Sequence, residues 1–160
     1  MLTIQLVSVL WQVLVLLASV VVLYLLLRPI INGAVYYPTD DRNLETILKI
    51  ARPKPGEKIA DLGSGDGRIL IAFARRGAEA HGYEINPVLV QKSRRAIREA
   101  GLEKSAFVFW FSFWRENFSK FDTIVIYAFP HIMKKLEKKL KREVRPGTKI
   151  VANIYGFPSW

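Results

Sequence analysis

The chain has 160 residues, the size of one ordinary domain, and its charged residues are unevenly distributed. All 24 Lys and Arg and all 14 Asp and Glu follow residue 27, so the formal net charge of +10 belongs to the C-terminal part. The absence of cysteine excludes disulfides and thiolate metal sites, and two histidines are too few for an all-imidazole zinc site. We therefore predict neither a bound metal nor redox chemistry.

The N-terminal segment, residues 2–27, contains no charged residue, histidine, glycine or proline. As a helix it would be roughly 39 Å long, enough to cross a hydrocarbon core of about 30 Å with some tilt. A secretory signal peptide is the alternative, but the first residues are not basic and no small-residue cleavage site precedes Arg28. We therefore predict one transmembrane helix over residues 1–28.

The flanks of this anchor predict its orientation. Cytoplasmic flanks are enriched in Lys and Arg, and here the basic residues begin on the C-terminal side with Arg28. We predict a single-pass membrane protein whose folded part faces the cytoplasm, or the matrix of an organelle. Four polar residues share one stripe of the helix, namely Gln5, Ser8, Gln12 and Ser19. The stripe either joins helices in a homo-oligomer or is tolerated by a single span.

Residues 29–57 are predicted to form a connector and one short helix. Pro29, Gly33 and Pro38 indicate a connector before residue 39. Apolar residues at helical spacing then indicate an amphipathic helix that Thr39 or Asp40 caps, namely Leu44, Ile47, Leu48 and Ala51. Two prolines and a glycine end the helix at residues 53–56.

Strand-like and helix-like segments alternate from residue 58 to the C-terminus. The predicted strands are 58–62, 80–85, 106–111, 122–127 and 148–154, and the predicted helices are 68–76, 87–100 and 131–144. This alternation predicts an α/β fold with a mostly parallel sheet over residues 58–160. Ligands of such sheets bind beyond the carboxyl ends of the strands, so we expect the functional site there.

The most informative stretch joins the first predicted strand to the next helix: Asp61-Leu-Gly63-Ser-Gly65-Asp66-Gly67-Arg68. Glycines there let the backbone turn tightly and let a nucleotide-like cofactor approach. Their spacing, G-x-G-x-G, departs from the G-x-G-x-x-G of dinucleotide-binding loops. The carboxylates of Asp61 and Asp66 would repel a pyrophosphate, whereas S-adenosylmethionine has no phosphate and carries two positive groups. The loop therefore favours S-adenosylmethionine over a dinucleotide.

Glu84 ends the second predicted strand, 23 residues after Asp61. An acidic residue at that point can accept hydrogen bonds from both ribose hydroxyls of an adenosine. A surface ion pair is the alternative role. The position of Glu84 relative to the glycine-rich loop favours the ribose.

With both elements placed, the sequence resembles class I, Rossmann-type S-adenosylmethionine-dependent methyltransferases. It is more narrowly similar to the membrane-anchored protein lysine methyltransferases that act on adenine nucleotide translocase and on the ATP synthase c-subunit. Five features carry the resemblance: the apolar N-terminal segment, Tyr36-Tyr-Pro38-Thr39, the glycine-rich loop, Gly82-Tyr-Glu84-Ile-Asn-Pro87, and Ile126-Tyr-Ala-Phe-Pro130 before a Leu-Glu-Lys-Lys-Leu helix. The resemblance implies methyl transfer to a lysine ε-amine of a membrane-associated protein.

The resemblance also implies the residues of the donor site. Asp61, Gly63, Ser64, Gly65 and Asp66 would contact the methionine part of the donor, Glu84 would hold its ribose, and Ile85, Asn86, Ser112 and Phe113 would flank its adenine. Such enzymes often have an acidic residue where Ser112 stands. A hydroxyl accepts a hydrogen bond less strongly than a carboxylate, so this departure predicts a lower affinity for the donor.

By the same resemblance, four residues lie near the reactive methyl group: Tyr37, Thr39, Tyr127 and Pro130. An apolar pocket of Tyr37, Tyr127, Phe129 and Trp114 would lower the pKa of a substrate lysine because it disfavours the ammonium. Alternative roles remain open. Tyr36 and Tyr37 also suit the interfacial aromatic belt that follows a membrane span, and Tyr127 and Pro130 also suit simple packing. His131 is more typical of a helix start than of a general base.

The C-terminal part carries two further expectations. Class I enzymes usually continue past the fifth strand into an antiparallel hairpin, which is missing here, so the last strand is predicted to be an exposed edge that a second chain or lipid covers. The predicted helix 133–144 has six basic and two acidic residues, and each basic residue near an anionic leaflet contributes about 1 kcal/mol. This helix is either a solvated face or a second contact with lipid headgroups.

Two other functions fit parts of the sequence. A nucleic-acid methyltransferase agrees with a pI of about 10.0, but enzymes that methylate base amino groups carry Asn- or Asp-Pro-Pro-aromatic where this chain has Tyr127-Ala-Phe-Pro130. A non-catalytic donor-binding membrane protein is compatible with Ser112 and the short C-terminal part. The predicted anchor favours a protein substrate in a membrane.

Overall fold

The computed structural model describes residues 2–32, 39–127, 130–153 and 155–160, and within the first helix it describes the side chains of residues 5–24. The chain divides into two compact units, Met1–Asn32 and Gly33–Trp160. The first unit is a single helix, α1 (Leu2–Asn32). Its segment Gln5–Tyr24 is long and apolar enough to cross a membrane, with a mean hydropathy of 2.7 and no residue buried.

Helix α1 is longer than predicted. The sequence places the end of the anchor at Arg28, but the helix continues through Pro29 to Asn32, so the connector predicted for residues 29–38 begins only after Asn32. A proline is most costly in the middle of a helix, and here only three helical residues follow it. Two hydroxyls of the polar stripe donate within their own helix, from Ser8 to the Gln5 carbonyl and from Ser19 to the Val15 carbonyl, both at 2.8 Å. These bonds satisfy the two hydroxyls locally.

The second unit alternates strands and helices, as the sequence predicts. Its elements are α2 (Asp41–Ala51), β1 (Lys58–Leu62), α3 (Arg68–Ala74), β2 (Glu79–Glu84), α4 (Pro87–Glu99), β3 (Ala106–Trp110), β4 (Thr123–Ile126), α5 (Pro130–Glu143) and β5 (Lys149–Ala152). Two short 3-10 helices, Phe113–Arg115 and Phe118–Lys120, lie between β3 and β4. The strands form one parallel sheet in the order β3-β2-β1-β4-β5. The predicted α/β fold is confirmed.

Both faces of the sheet are apolar because helices cover both sides of a parallel sheet. Alternate strand residues contribute to two separate cores, so Ile59 belongs to one face of β1 while Ala60 and Leu62 belong to the other. Helices α2, α3 and α4 pack on the first face. Helix α5 and the two 3-10 helices pack on the second face.

Helix α2 is integrated into this second unit. The Asp40 carboxylate accepts a hydrogen bond from the Asn43 N–H at 2.7 Å, which confirms the predicted N-terminal cap. Residues Ile47, Leu48 and Ala51 are buried in the first core. The Lys149 ammonium of β5 then donates to the carbonyl at the helix end, on Ala51, at 2.7 Å.

The order of the strands identifies the edge where a ligand would bind. The chain runs from β1 outward to β2 and β3, then returns to the other side of β1 for β4 and β5. The topological switch point therefore lies between β1 and β4. Strand β5 is an outer strand of the described sheet. The residues that follow it pack on α5, where Ser159 bonds to Glu137 and Lys141 lies over the Trp160 ring.

Candidate active site

The glycine-rich loop, residues 63–67, joins β1 to α3 at the carboxyl edge of the sheet. Gly67 immediately precedes α3 with a φ of 84°, a backbone conformation that favours glycine. A Cβ atom at this position would lie 2.2 Å from the Ser93 hydroxyl oxygen of α4. The loop and α4 are therefore packed so closely that no other residue fits at position 67 without movement.

We expect Gly67→Ala to lower the free energy of unfolding by about 2–5 kcal/mol, because left-handed backbone costs about 1–2 kcal/mol and overpacking about 1–3 kcal/mol. Urea unfolding measures the loss. The double variant Gly67→Ala/Ser93→Gly should recover the overpacking part and keep the backbone part. Equal losses in the single and double variants would contradict this close packing.

Glu84, at the end of β2, braces the glycine-rich loop, in the sense that its carboxylate accepts a hydrogen bond from the loop backbone. Its side chain is 4% exposed. One carboxylate oxygen accepts hydrogen bonds from the Ile85 and Asn86 N–H groups, both at 2.8 Å, and the other accepts one from the Gly65 N–H at 3.0 Å. Each carboxylate oxygen has two acceptor positions, so the oxygen that faces Gly65 retains one for a ligand hydroxyl. The predicted ribose-binding residue is thus also a structural link between the loop and α4.

Two buried acceptors beneath the loop lack a hydrogen-bond partner: the Oδ2 atom of Asp61 and the hydroxyl of Ser64. Asp61 is 2% exposed, and burial raises its pKa to about 8, with further contributions from the negative charges of Glu84 and Asp66. Gly82 of β2 makes room for Ser64, since a Cβ at that position would lie 2.5 Å from the Ser64 hydroxyl oxygen. A cationic ligand at this point would satisfy Asp61 and stabilise its ionised form.

Asp66 is surrounded differently from Asp61. The Arg68 guanidinium bonds to both of its oxygens, at 3.0 and 2.8 Å, and the Lys92 ammonium lies 3.5 Å away. Sequence reasoning assigned both loop carboxylates to the positive charges of the donor. The structure instead gives Asp66 two cations of its own, so Asp61 is the one of the two carboxyl groups that has no cationic partner among the described residues.

Arg68 also connects the loop to the start of the second unit. Its guanidinium donates to the backbone carbonyl of Thr39 at 2.6 Å, and Thr39 is buried. Sequence analysis missed this link. The motif that ends in Arg68 gave a signal for it, because an arginine beside a loop carboxylate commonly has a structural partner.

The residues predicted to flank the adenine lie at the ends of β2 and β3. Asn86 caps α4 through a hydrogen bond from the Val88 N–H to its side-chain oxygen at 2.9 Å. The Trp110 indole N–H donates to the Ile85 carbonyl at 3.0 Å and ties the two strand ends together. Ser112 is half-buried, whereas the Phe113 ring is buried in the second core.

The predicted methyl-acceptor residues are only partly described. Tyr37 and Phe129 lie outside the described residues. Tyr127 is half-buried directly after β4, and Pro130 is exposed at the start of α5. Both are near the switch point, because β4 pairs with β1 up to Leu62 and Ile126. Trp114 packs against Phe113 with ring centroids 4.9 Å apart, beneath the Lys135 ammonium.

A separate groove of about 530 Å³ lies on the outer part of the sheet. Eight side chains line it, namely His81, Tyr83, Arg94, Phe109, Trp110, Phe111, Glu116 and Lys120. None of them belongs to the glycine-rich loop. Across the ranges that the structure describes, no three His, Asp or Glu residues cluster as metal ligands would.

The unpartnered acceptors test whether the site fits S-adenosylmethionine. The buried Asp61 oxygen suits an ammonium, the remaining acceptor position of Glu84 suits a ribose hydroxyl, and the ends of β2 and β3 lie beside each other as an adenine site requires. A phosphate is disfavoured here, because it would lie beside the Glu84 carboxylate and would oppose ionisation of Asp61. The donor predicted from the sequence therefore fits the residues present.

Solved structures share this fold. An RNA methyltransferase from Salinibacter ruber, in complex with S-adenosyl-L-homocysteine, is 31% identical with a TM-score of 0.74; the match covers 78% of this chain and 82% of that one. A SAM-dependent methyltransferase from Thiobacillus denitrificans, also with S-adenosyl-L-homocysteine, has a TM-score of 0.63 over 74% of this chain and 50% of that one, at 20% identity. The second likeness supports the fold alone.

Sequence comparisons identify the family. The human lysine N-methyltransferase of the ATP synthase c-subunit is 38% identical over 149 residues, which are 89% of this chain and 63% of that protein. The rat enzyme of the same name is also 38% identical, and this chain covers 68% of it. The mouse adenine nucleotide translocase lysine N-methyltransferase is 33% identical over 78% of this chain and 55% of that protein. The chain thus spans about half to two thirds of the length of these relatives.

One family model describes most of the second unit. The model of the ANTKMT methyltransferase domain matches residues 61–160, from Asp61 at the end of β1 to Trp160. This match includes Asp61, Glu84 and Tyr127. The chain belongs to the family of the ANTKMT methyltransferase domain.

Proposed function

We propose that the protein is an S-adenosylmethionine-dependent methyltransferase that modifies a lysine ε-amine of a membrane-associated protein. The observation that carries the proposal is the buried Asp61 carboxyl, which has no partner for one oxygen and lies beneath a loop that Glu84 braces. An uncompensated buried acid is costly unless a ligand supplies the positive charge. The ammonium of the donor is such a group.

Bound S-adenosylmethionine would supply a methyl group on a sulfonium for in-line displacement by an unprotonated lysine amine. The protein contributes mainly positioning, which is worth up to about 7–11 kcal/mol in favourable cases. Asp61 and Glu84 fix the polar ends of the donor. Tyr37, Thr39, Tyr127 and Pro130 remain our predicted methyl-acceptor site, where an apolar surrounding excludes water and lowers the pKa of the substrate lysine.

The raised pKa of Asp61 predicts pH-dependent donor binding. Below pH 8 the empty site holds a proton on Asp61, and a bound ammonium stabilises the carboxylate, so binding releases that proton. The association constant for S-adenosylhomocysteine should therefore rise by up to about tenfold per pH unit between pH 6 and 7.5. Calorimetry in two buffers with different ionisation heats measures the released proton. Proton-neutral binding, or the same pH dependence in Asp61→Asn, would contradict this role.

The names of the relatives support a lysine acceptor. The human and mouse relatives are named for lysines of the ATP synthase c-subunit and of adenine nucleotide translocase, and a relative from Saccharolobus islandicus, 28% identical over 78% of this chain, is named a protein-lysine N-methyltransferase. The apolar helix Gln5–Tyr24 supports a membrane location for this chain. An active site that is anchored to a membrane meets mainly molecules in or near that membrane, which favours a substrate in the same membrane.

Methyl transfer from labelled donor into a membrane protein extract tests the proposal. We expect label on a protein lysine, identified by mass spectrometry, and no effect of nuclease. A nucleic-acid acceptor is the second candidate because a structure at 31% identity is described as an RNA methyltransferase, and nuclease-sensitive label would support it. Donor binding without label on any macromolecule would instead favour a non-catalytic donor-binding protein.

We also propose that α5 contacts anionic lipid, as its composition predicts. Lys134, Lys138 and Arg142 are exposed, four residues apart, and form no ion pair with a described residue. Lys139 is unsuited to this role because it is half-buried and donates to the Glu116 carbonyl and the Glu143 carboxylate.

The predicted N-terminal anchor has its own test. Carbonate extraction of the full chain tests whether the anchor holds it in a membrane, and protease protection tests on which side of the membrane the second unit lies.

A further inference from the structure

Exposed apolar side chains of the second unit gather at the edge that carries the active site. Seven large ones are exposed in the described part of this unit, and four of them lie where strands end. These four define the apolar rim: Val88 after β2, Trp110 and Phe111 at the end of β3, and Tyr155 after β5. Because all five strands are parallel, the rim and the glycine-rich loop share one edge.

The apolar rim has members on both sides of the sheet, three at or after the ends of β2 and β3 and one after β5. From β3 to β5 there are four interstrand spacings of about 4.8 Å, so the rim spans about 19 Å. Val88 is 73% exposed and Trp110 is 65% exposed. The indole N–H of Trp110 is already bonded to the Ile85 carbonyl, which leaves an apolar ring surface towards solvent. Several large apolar side chains exposed along one edge are the feature from which an interaction surface is inferred here.

The composition around the rim favours a lipid headgroup layer as its partner. Trp and Tyr are the residues enriched at membrane–water interfaces, because they combine an apolar ring with a polar group. Exposed cations flank the rim, with Arg115 after β3 and Lys134 and Lys135 in the first turns of α5. The acidic Asp40 and Asp41 lie at the same edge but at the start of α2, so the basic excess lies on the α5 side.

The course of the chain favours the same partner. The described part of the second unit begins at this edge, because the Thr39 carbonyl accepts a hydrogen bond from Arg68, directly after the glycine-rich loop. In the sequence only residues 33–38 separate Thr39 from the end of the apolar helix α1. The apolar helix is thus close in sequence to the residue at which the described part of the second unit begins, and that residue lies at the edge that carries the active site.

We propose that the apolar rim inserts into the headgroup layer, so that the active-site edge faces the bilayer. The inference rests on the proposed function, and it specifies the substrate further. The acceptor would be a lysine at the level of the membrane–water boundary, and lysines on large extramembrane domains would be poor substrates. The opposite edge of the sheet, which includes Lys104, would face water.

The cysteine-free sequence allows a direct test by single spin labels. Val88→Cys and Tyr155→Cys place a label in the rim, and Lys104→Cys places the control label on an exposed turn before β3 at the opposite edge. Each full-length variant is reconstituted in phosphatidylcholine–phosphatidylglycerol vesicles. Relaxation by oxygen, which concentrates in lipid, is compared with relaxation by a water-soluble nickel complex. We expect the oxygen-to-nickel ratio at both rim positions to exceed that at position 104 at least threefold.

Two outcomes would overturn the inference. Rim labels as accessible to nickel as the label at position 104 would mean that the rim faces water. Rim labels protected from both reagents would mean that protein covers the rim, as in a second copy of the chain. Calorimetry with S-adenosylhomocysteine on the same samples separates this failure from that of the proposed function. If S-adenosylhomocysteine binds normally while the rim faces water, the proposed orientation is wrong but the proposed function stands.

Discussion

Replacement of Asp61 by Asn is expected to weaken S-adenosylhomocysteine binding about 10- to 100-fold while leaving the fold intact. The estimate corresponds to the loss of one charge-assisted hydrogen bond, worth about 1.5–3 kcal/mol. The same substitution should stabilise the empty protein at pH 8. The raised pKa means that the unfolded chain ionises Asp61 first, so stability falls as pH rises from about 4 through 8, and Asn removes that fall. Calorimetry and urea unfolding measure the two effects.

Asp122→Asn is the matched control for this substitution. Its carboxylate is partly exposed at the opposite edge of the sheet, where it accepts hydrogen bonds from Arg145 and from the Lys58 N–H. The same charge is removed, but donor affinity and its pH dependence should be unchanged. Equal losses of affinity in Asp61→Asn and Asp122→Asn would mean that net charge, and not the buried carboxyl, governs binding.

Glu84→Gln is expected to reduce both donor affinity and stability. The carboxylate accepts three backbone N–H groups, whereas an amide offers one oxygen and turns its own N–H groups towards the remaining donors. We expect a loss of about 2–4 kcal/mol in the free energy of unfolding and about 100-fold in methyl-transfer activity, since a buried donor without a partner costs about 1–3 kcal/mol. Urea unfolding and labelled-donor assays measure these losses.

Glu79→Gln serves as the control because Glu79 begins the same strand, and its carboxylate is partly exposed beside Lys58 and His81. Neither stability nor activity should change by more than a small amount, as is usual for surface ion pairs. If Glu84→Gln lost donor affinity at unchanged stability, Glu84 would hold the ligand without bracing the loop. The structural role assigned to its three N–H partners would then be wrong.

The fold was predictable because the alternation of apolar segments is a local property of the sequence. The ends of the elements were less predictable. The second strand was predicted at 80–85 and is found at Glu79–Glu84. The first helix was predicted to end at residue 28 but continues through Pro29 to Asn32. Apolar patterns define the middle of an element, whereas its ends depend on single hydrogen bonds and on tolerance of a proline.

The positions of Asp61 and Glu84 were predictable for a topological reason. Residues at the ends of neighbouring parallel strands must meet at one edge, whatever the details of packing. The partners of Asp66 were not predictable, because they depend on the side-chain geometry of Arg68 and Lys92. The contact of Gly67 with Ser93 escaped prediction because it joins two elements that pattern analysis treats separately.

The hydrogen bond from Arg68 to Thr39 has a thermodynamic consequence. One guanidinium bonds both to the Asp66 carboxylate of the glycine-rich loop and to the backbone carbonyl of Thr39, where the described part of the second unit begins. If donor binding changes the free energy of that shared contact, then displacement of the Thr39 backbone must change donor affinity by the same amount, because coupling between two sites is reciprocal. The position of the Thr39 backbone and the occupancy of the predicted donor site would thus be two variables of one equilibrium.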